Sequence, residues 1–135
     1  MADQTFTAPL VGDYYRPPAK AIIQSIPTNT SLILRREPDN PYDENAVKVI
    51  ILTENIPQSS HETLESLAGP CGFSLEEILA EEEWHLGYIS KEFAVYLTKL
   101  LEPEDTDYSA HLSFFVNEKG KNKNAVEITI NIESE

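Results

Sequence analysis

The sequence predicts a mostly β chain with helices added, an α+β fold. Three observations predict it. Val126, Ile128, Ile130 and Ile132 alternate with polar residues, the pattern of a strand with one buried face. Leu32-Ile33-Leu34 and Val47–Leu52 are apolar, β-branched runs on either side of a stretch dense in turn formers. Phe93, Ala94, Leu97, Leu100 and Leu101 recur at helical spacing and give one clear helix at about 91–101, with a shorter one at about 74–83. A chain of 135 residues suits one domain, 1–135, with a single core.

Residues 1–5 read as a loose start. Phe6–Val11 alternates weakly and is expected as a first strand, broken at Gly12. Asp13 to Pro18 places Tyr14 and Tyr15 beside Arg16. Neighbours in an extended segment point to opposite sides, so one tyrosine faces out, a platform on which a base can stack with a cation within reach of phosphate. Ala19–Ile26 suits either one helical turn or an irregular strand, and Pro27 to Thr30 ends it.

Ser31–Arg36 is expected as a strand with Leu32 and Leu34 on the core face. Arg36 then falls inward, where it would brace the next loop by bonding its carbonyls. That loop lies within Arg35–Val49, which holds two prolines, two asparagines, four acids and a tyrosine. Pro38 and Pro41 fix their own φ and push Glu37 and Asn40 out of the helical region. Asn and Asp side chains bond back to loop amides as Asx-turns, which makes a rigid surface of Asn40, Tyr42, Asp43 and Asn45. By composition alone this is ordinary turn chemistry.

After Leu52, the segment 54–72 is rich in Ser, Glu, Pro and Gly and reads as a long surface loop. Ser74-Leu75-Glu76-Glu77 has the form of a capping box and opens the short helix, with Leu75, Ile78 and Leu79 on one face. Glu81, Glu82 and Glu83 oppose the dipole at its far end, which keeps it brief. Trp84–Ile89 is expected as a strand in which Gly87 permits close backbone approach. Ser90 is expected to cap the 91–101 helix, and Pro103 to end it. Ala110–Val116 and Ala125–Ile132 form a hairpin across the polar turn Asn117–Asn124, whose Lys119, Lys121 and Lys123 read as a solvated tip.

No catalytic constellation emerges, so the chain is read as a non-enzyme without a cofactor. Glu37, Asp39 and Asp43 are carboxylates of the kind Mg²⁺ takes, yet the prolines shape that loop without a metal and the EF-hand spacing is missing. Cys71 is the single cysteine, and His61, His85 and His111 lack metal-ligand spacing. No membrane-length apolar run or signal pattern occurs, so a soluble, intracellular, cytoplasmic protein is expected. The net charge of −13 argues against coating long duplex DNA. It is unevenly placed: residues 54–83 hold eight acids and no Lys or Arg, whereas 1–53 and 84–101 together hold seven acids and seven bases.

The run Arg36 to Val49, Arg-Glu-Pro-Asp-Asn-Pro-Tyr-Asp-Glu-Asn-Ala-Val-Lys-Val, resembles the signature of the HIRAN domain family. Leu10-Val11-Gly12 followed by Tyr14-Tyr15, and Leu86-Gly87-Tyr88-Ile89 followed by Lys91, extend the resemblance over roughly 6–53 and 84–101. It implies a small β-barrel of the OB-like or SH3-like kind that grips the 3′ end of single-stranded DNA in a pocket, as a module of DNA repair or replication. Carried over by position, Tyr42 looks like the residue that stacks on the terminal base, Asp43 like the acceptor for the 3′-hydroxyl, and Asn40 like a neighbouring polar contact. Tyr88 and Lys91 lie where the family places a polar ring and a phosphate-binding lysine. Against the family pattern, 54–83 reads as an acidic insertion. That insertion and the acidic tail fit a second expectation: an acidic interaction module or DNA mimic that binds a DNA-processing protein.

Overall fold

The computed structural model describes residues 4–11, 18–101, 107–118 and 123–132. Six strands close an antiparallel barrel in the order β1-β4-β3-β2-β5-β6. In chain order these are β1 (Gln4–Val11), α1 (Ala19–Ser25), β2 (Ser31–Arg36), β3 (Val47–Leu52), α2 (His61–Ala68), α3 (Leu75–Ala80), β4 (Glu83–Ile89), α4 (Lys91–Leu100), β5 (Tyr108–Glu118) and β6 (Lys123–Ile132). The expected α+β barrel is therefore the observed fold. Period-2 alternation fills its interior: Leu32 and Leu34 from β2, Val47, Val49 and Ile51 from β3, and Val126, Ile128, Ile130 and Ile132 from β6 are all buried. Between Pro18 and Ser31 the chain takes the helical option, with Ile22 and Ile23 of α1 in the same core.

Two devices hold the barrel closed. Among the described residues β1 meets β4 through Leu10↔Ile89 and Val11↔Tyr88, and there a Cβ on Gly87 would stand 2.6 Å from the Val11 carbonyl oxygen. The glycine anticipated for close approach serves that contact. β2 meets β5 through Ser31↔His111 and Leu32↔Ala110. Beyond that pair the Tyr108 hydroxyl takes over, donating to the Leu34 carbonyl at 2.9 Å and accepting from the Leu34 N–H at 3.0 Å. A side chain thus satisfies the strand's backbone groups where the ladder stops.

The segment expected as a surface loop, 54–72, is folded. Two 3-10 turns, Thr53–Asn55 and Gln58–Ser60, lead into α2, and a third, Gly69–Cys71, follows it. Ile56, Leu64 and Ala68 are buried in the core, and α2 packs on α1. The spacing Leu64, Leu67, Ala68 is helical, but the polar composition around it masks the signal. The capping box of α3 is present: Ser74 Oγ accepts from the Glu77 N–H, and the Glu77 carboxylate accepts from the Ser74 N–H, both at 3.1 Å. The helix stops at Ala80 rather than near Glu83. Glu81 turns to an extended conformation and Glu83 opens β4, where Arg35 of β2 grips its carboxylate at 2.7 and 3.2 Å. Acids at the negative end of a helix are better placed in a strand beside an arginine.

Candidate nucleic-acid interface

The Pro38–Asn45 loop takes its shape from its own side chains. Asn40 Oδ1 accepts the N–H groups of Tyr42 and Asp43 at 2.8 and 3.0 Å, and Asp43 Oδ1 accepts that of Asn45 at 3.0 Å. These are the Asx-turns that the sequence implies. The base of the loop is closed by the Glu37 N–H on the Ala46 carbonyl at 2.9 Å. From α4, the Thr98 hydroxyl lies 3.1 Å from the Asn45 carbonyl and 2.7 Å from the Ala94 carbonyl, and shares its proton between them. The outcome is a rigid loop whose one large side chain, Tyr42, stands 92% exposed.

Glu37 is the hub beneath this loop. Its carboxylate accepts from Asn40 Nδ2 at 2.7 Å and the Tyr88 hydroxyl at 2.9 Å, and pairs with Lys48 Nζ at 2.9 Å. Burial pushes this carboxyl up, but the hydrogen bonds from Lys48, Asn40 and Tyr88 and the charge of Lys48 outweigh it and hold the pKa at about 2. The loop, β3 and β4 are therefore joined at one ionised group. Arg36, expected to brace the loop, is exposed and bonds none of the loop's carbonyls. As the last residue of β2, it lies beyond the stretch whose alternate side chains, Leu32 and Leu34, are buried.

Tyr88 is aimed by a bulge. Val49 pairs with Gly87 and Ile50 with His85, so Leu86 is an extra residue on β4. His85 then packs edge-on against the Tyr88 ring, centroids 4.8 Å apart. Ser90 sits at the N-cap of α4, but its hydroxyl does not cap the helix and is buried with no hydrogen-bond partner among the described residues. Lys91, the first helical residue, is exposed.

These elements enclose a pocket of about 500 Å³ lined by Val11, Glu37, Asn40, Pro41, Tyr42, Asp43, Ala46, Tyr88, Ile89 and Lys91. Five of the eight residues singled out in the sequence, Asn40, Tyr42, Asp43, Tyr88 and Lys91, share that pocket. Tyr14, Tyr15 and Arg16 lie outside the described residues. Asn40 spends its amide inside the loop. Asp43 keeps one carboxylate oxygen without a hydrogen-bond partner, and Lys91 has no ion pair, among the described residues. Sequence reasoning missed Glu37 as part of the site and the apolar floor of Val11, Ala46 and Ile89. The signal for Glu37 was the strand register that sets it near Lys48. Chemically, the pocket offers an open aromatic face, a second phenol ring, one carboxylate acceptor and one cation over an apolar floor. It suits a planar ring that carries a hydroxyl and an anionic group.

No curated protein matches the chain's sequence. Among solved structures, the fold is similar to that of a protein from Lactobacillus plantarum, with TM-score 0.56 at 18% identity over 97% of each chain. It is also similar to the HIRAN domain of human HLTF, with TM-score 0.54 at 17% identity over 95% of this chain and 74% of that one. Among the described residues no helix is long and apolar enough to cross a membrane. Residues 4–135 match the family model of the HIRAN domain, and with a closed barrel carrying the signature loop at its rim, this chain belongs to the HIRAN domain family.

Proposed function

We propose that the domain, 1–135, is a non-catalytic module that binds the 3′ end of single-stranded DNA in the Tyr42 pocket, in DNA repair or replication. The observation that carries this reading is the convergence of Tyr42, Asp43, Tyr88 and Lys91 on one cavity. Tyr42 stacks on the terminal base, a contact that contributes roughly 1–3 kcal/mol per base and tolerates any sequence. Lys91 meets the phosphate that leads into that nucleotide. The free oxygen of Asp43 accepts the 3′-hydroxyl. A carboxylate repels phosphate but accepts from a hydroxyl, so it favours an end over an internal position.

Fluorescence anisotropy with a short 3′-hydroxyl oligonucleotide at low salt tests the assignment. Tyr42→Ala is expected to weaken binding about 10- to 100-fold, in line with the loss of one stacked base. Lys91→Gln is expected to weaken it less and to flatten its salt dependence. Binding that none of Tyr42→Ala, Asp43→Asn and Lys91→Gln alters would reject this pocket as the site.

A further inference from the structure

A second concavity lies at the other end of the β3–β4 pair, built by the acidic segment. Its volume is about 810 Å³, within the roughly 300–1,000 Å³ of ligand-sized sites. Leu52, Ile56 and Leu79 make an apolar floor, and Glu54, Glu81 and Glu82 stand around it. Two hydrogen bonds fix the walls: the Thr53 N–H donates to the Glu82 carbonyl at 2.9 Å, and the Thr53 hydroxyl donates to the Glu81 carbonyl. The exits of β3 and α3 are thus tied together around the cavity. The three glutamates are exposed and form no ion pair among the described residues. No Lys or Arg lines the cavity, and none occurs anywhere in 54–83.

We propose that this cavity docks a basic, partly apolar peptide segment of a partner protein. A run of acids alone is a solvated surface; here the acids surround an apolar hollow, and low-dielectric walls focus their field. The occupant that complements both features carries Lys or Arg next to a large aliphatic residue. The aliphatic side chain fills the floor, the cations meet Glu54, Glu81 and Glu82, and the alkyl stems of the basic residues lie along Leu52 and Leu79. Nucleic acid is disfavoured by the same charges. The six residues of β3 separate the two pockets by roughly 20 Å at about 3.3 Å per residue, so a peptide here and a strand end at Tyr42 are held at once.

The test titrates the isotope-labelled full chain with the peptide Lys-Leu-Lys-Leu-Lys at low salt and follows backbone amide shifts. Expected are shifts concentrated in 52–61 and 79–82. Affinity should fall at least tenfold for Lys-Gly-Lys-Gly-Lys, for the double variant Glu81→Gln/Glu82→Gln, and for Ala80→Trp, which fills the cavity without changing charge. Single-strand binding by the same variants should be unchanged, which separates this site from the Tyr42 pocket. Shifts scattered over all the acidic surface, equal affinity for the glycine peptide or for spermine, indifference to Ala80→Trp, or no binding would each overturn the proposal.

Discussion

Glu37 is the residue on which the site's geometry turns, because one carboxylate orients Asn40, Tyr88 and Lys48 together. Its pKa is depressed to about 2 from an ordinary value near 4.5. The ionised folded form is favoured, so its contribution to stability is fully present above about pH 5 and is lost as pH falls towards 2. Thermal melts of wild type and Glu37→Gln across that window are expected to show a gap that is widest near neutrality and closes on acidification. A constant gap would mean the carboxylate's charge plays no part. Next to it, the rigid loop that presents Tyr42 and Asp43 could be anticipated from the sequence, because its prolines and its Asn and Asp residues are turn chemistry. The role of Glu37 was not, since it depends on which residue lies across from it on β3 and β4.

At the scale of elements, α4 and the loop are coupled through Thr98, whose hydroxyl reaches the Asn45 carbonyl. Thr98→Val keeps the buried shape and removes that tie. It is expected to weaken single-strand binding several-fold while the melting temperature moves only a few degrees; unchanged affinity would show that the loop holds its shape unaided. Tyr108 works on the opposite side of β2. Tyr108→Phe leaves the Leu34 N–H and carbonyl without their partner, at a cost of about 1–3 kcal/mol, measurable by denaturant unfolding. A cost below about 0.5 kcal/mol would mean that water replaces the phenol. Elements with a clean period, such as β6 and α4, could be read directly from residue spacing. α2 could not, because its apolar contribution is Leu64, Leu67 and Ala68 amid polar neighbours and becomes visible only when packed on α1. Arg36 was misplaced for a related reason: alternation assigns a face, but not where the barrel ends.

For the whole molecule, the net charge of −13 and the proposed grip on DNA are reconciled by position. Glu54, Glu81 and Glu82 stand at one end of the β3–β4 pair, while the other end carries Lys48 and Lys91 near the Tyr42 pocket. Such a charge distribution disfavours duplex backbone, and the proposed grip rests on stacking and a hydroxyl acceptor with one lysine at phosphate, so its affinity is expected to fall only gently with salt. The strands and helices follow from periodicity, whereas the closure of the barrel and the division of charge between its two ends depend on strand topology, which composition does not encode. The most direct test of the end-binding claim compares one fluorescent oligonucleotide carrying a free 3′-hydroxyl with the same strand carrying a 3′-phosphate, at low salt. A preference of at least tenfold for the free end is expected in the wild type, collapsing towards unity in Asp43→Asn; equal affinity for both ends in the wild type would contradict end recognition by this pocket.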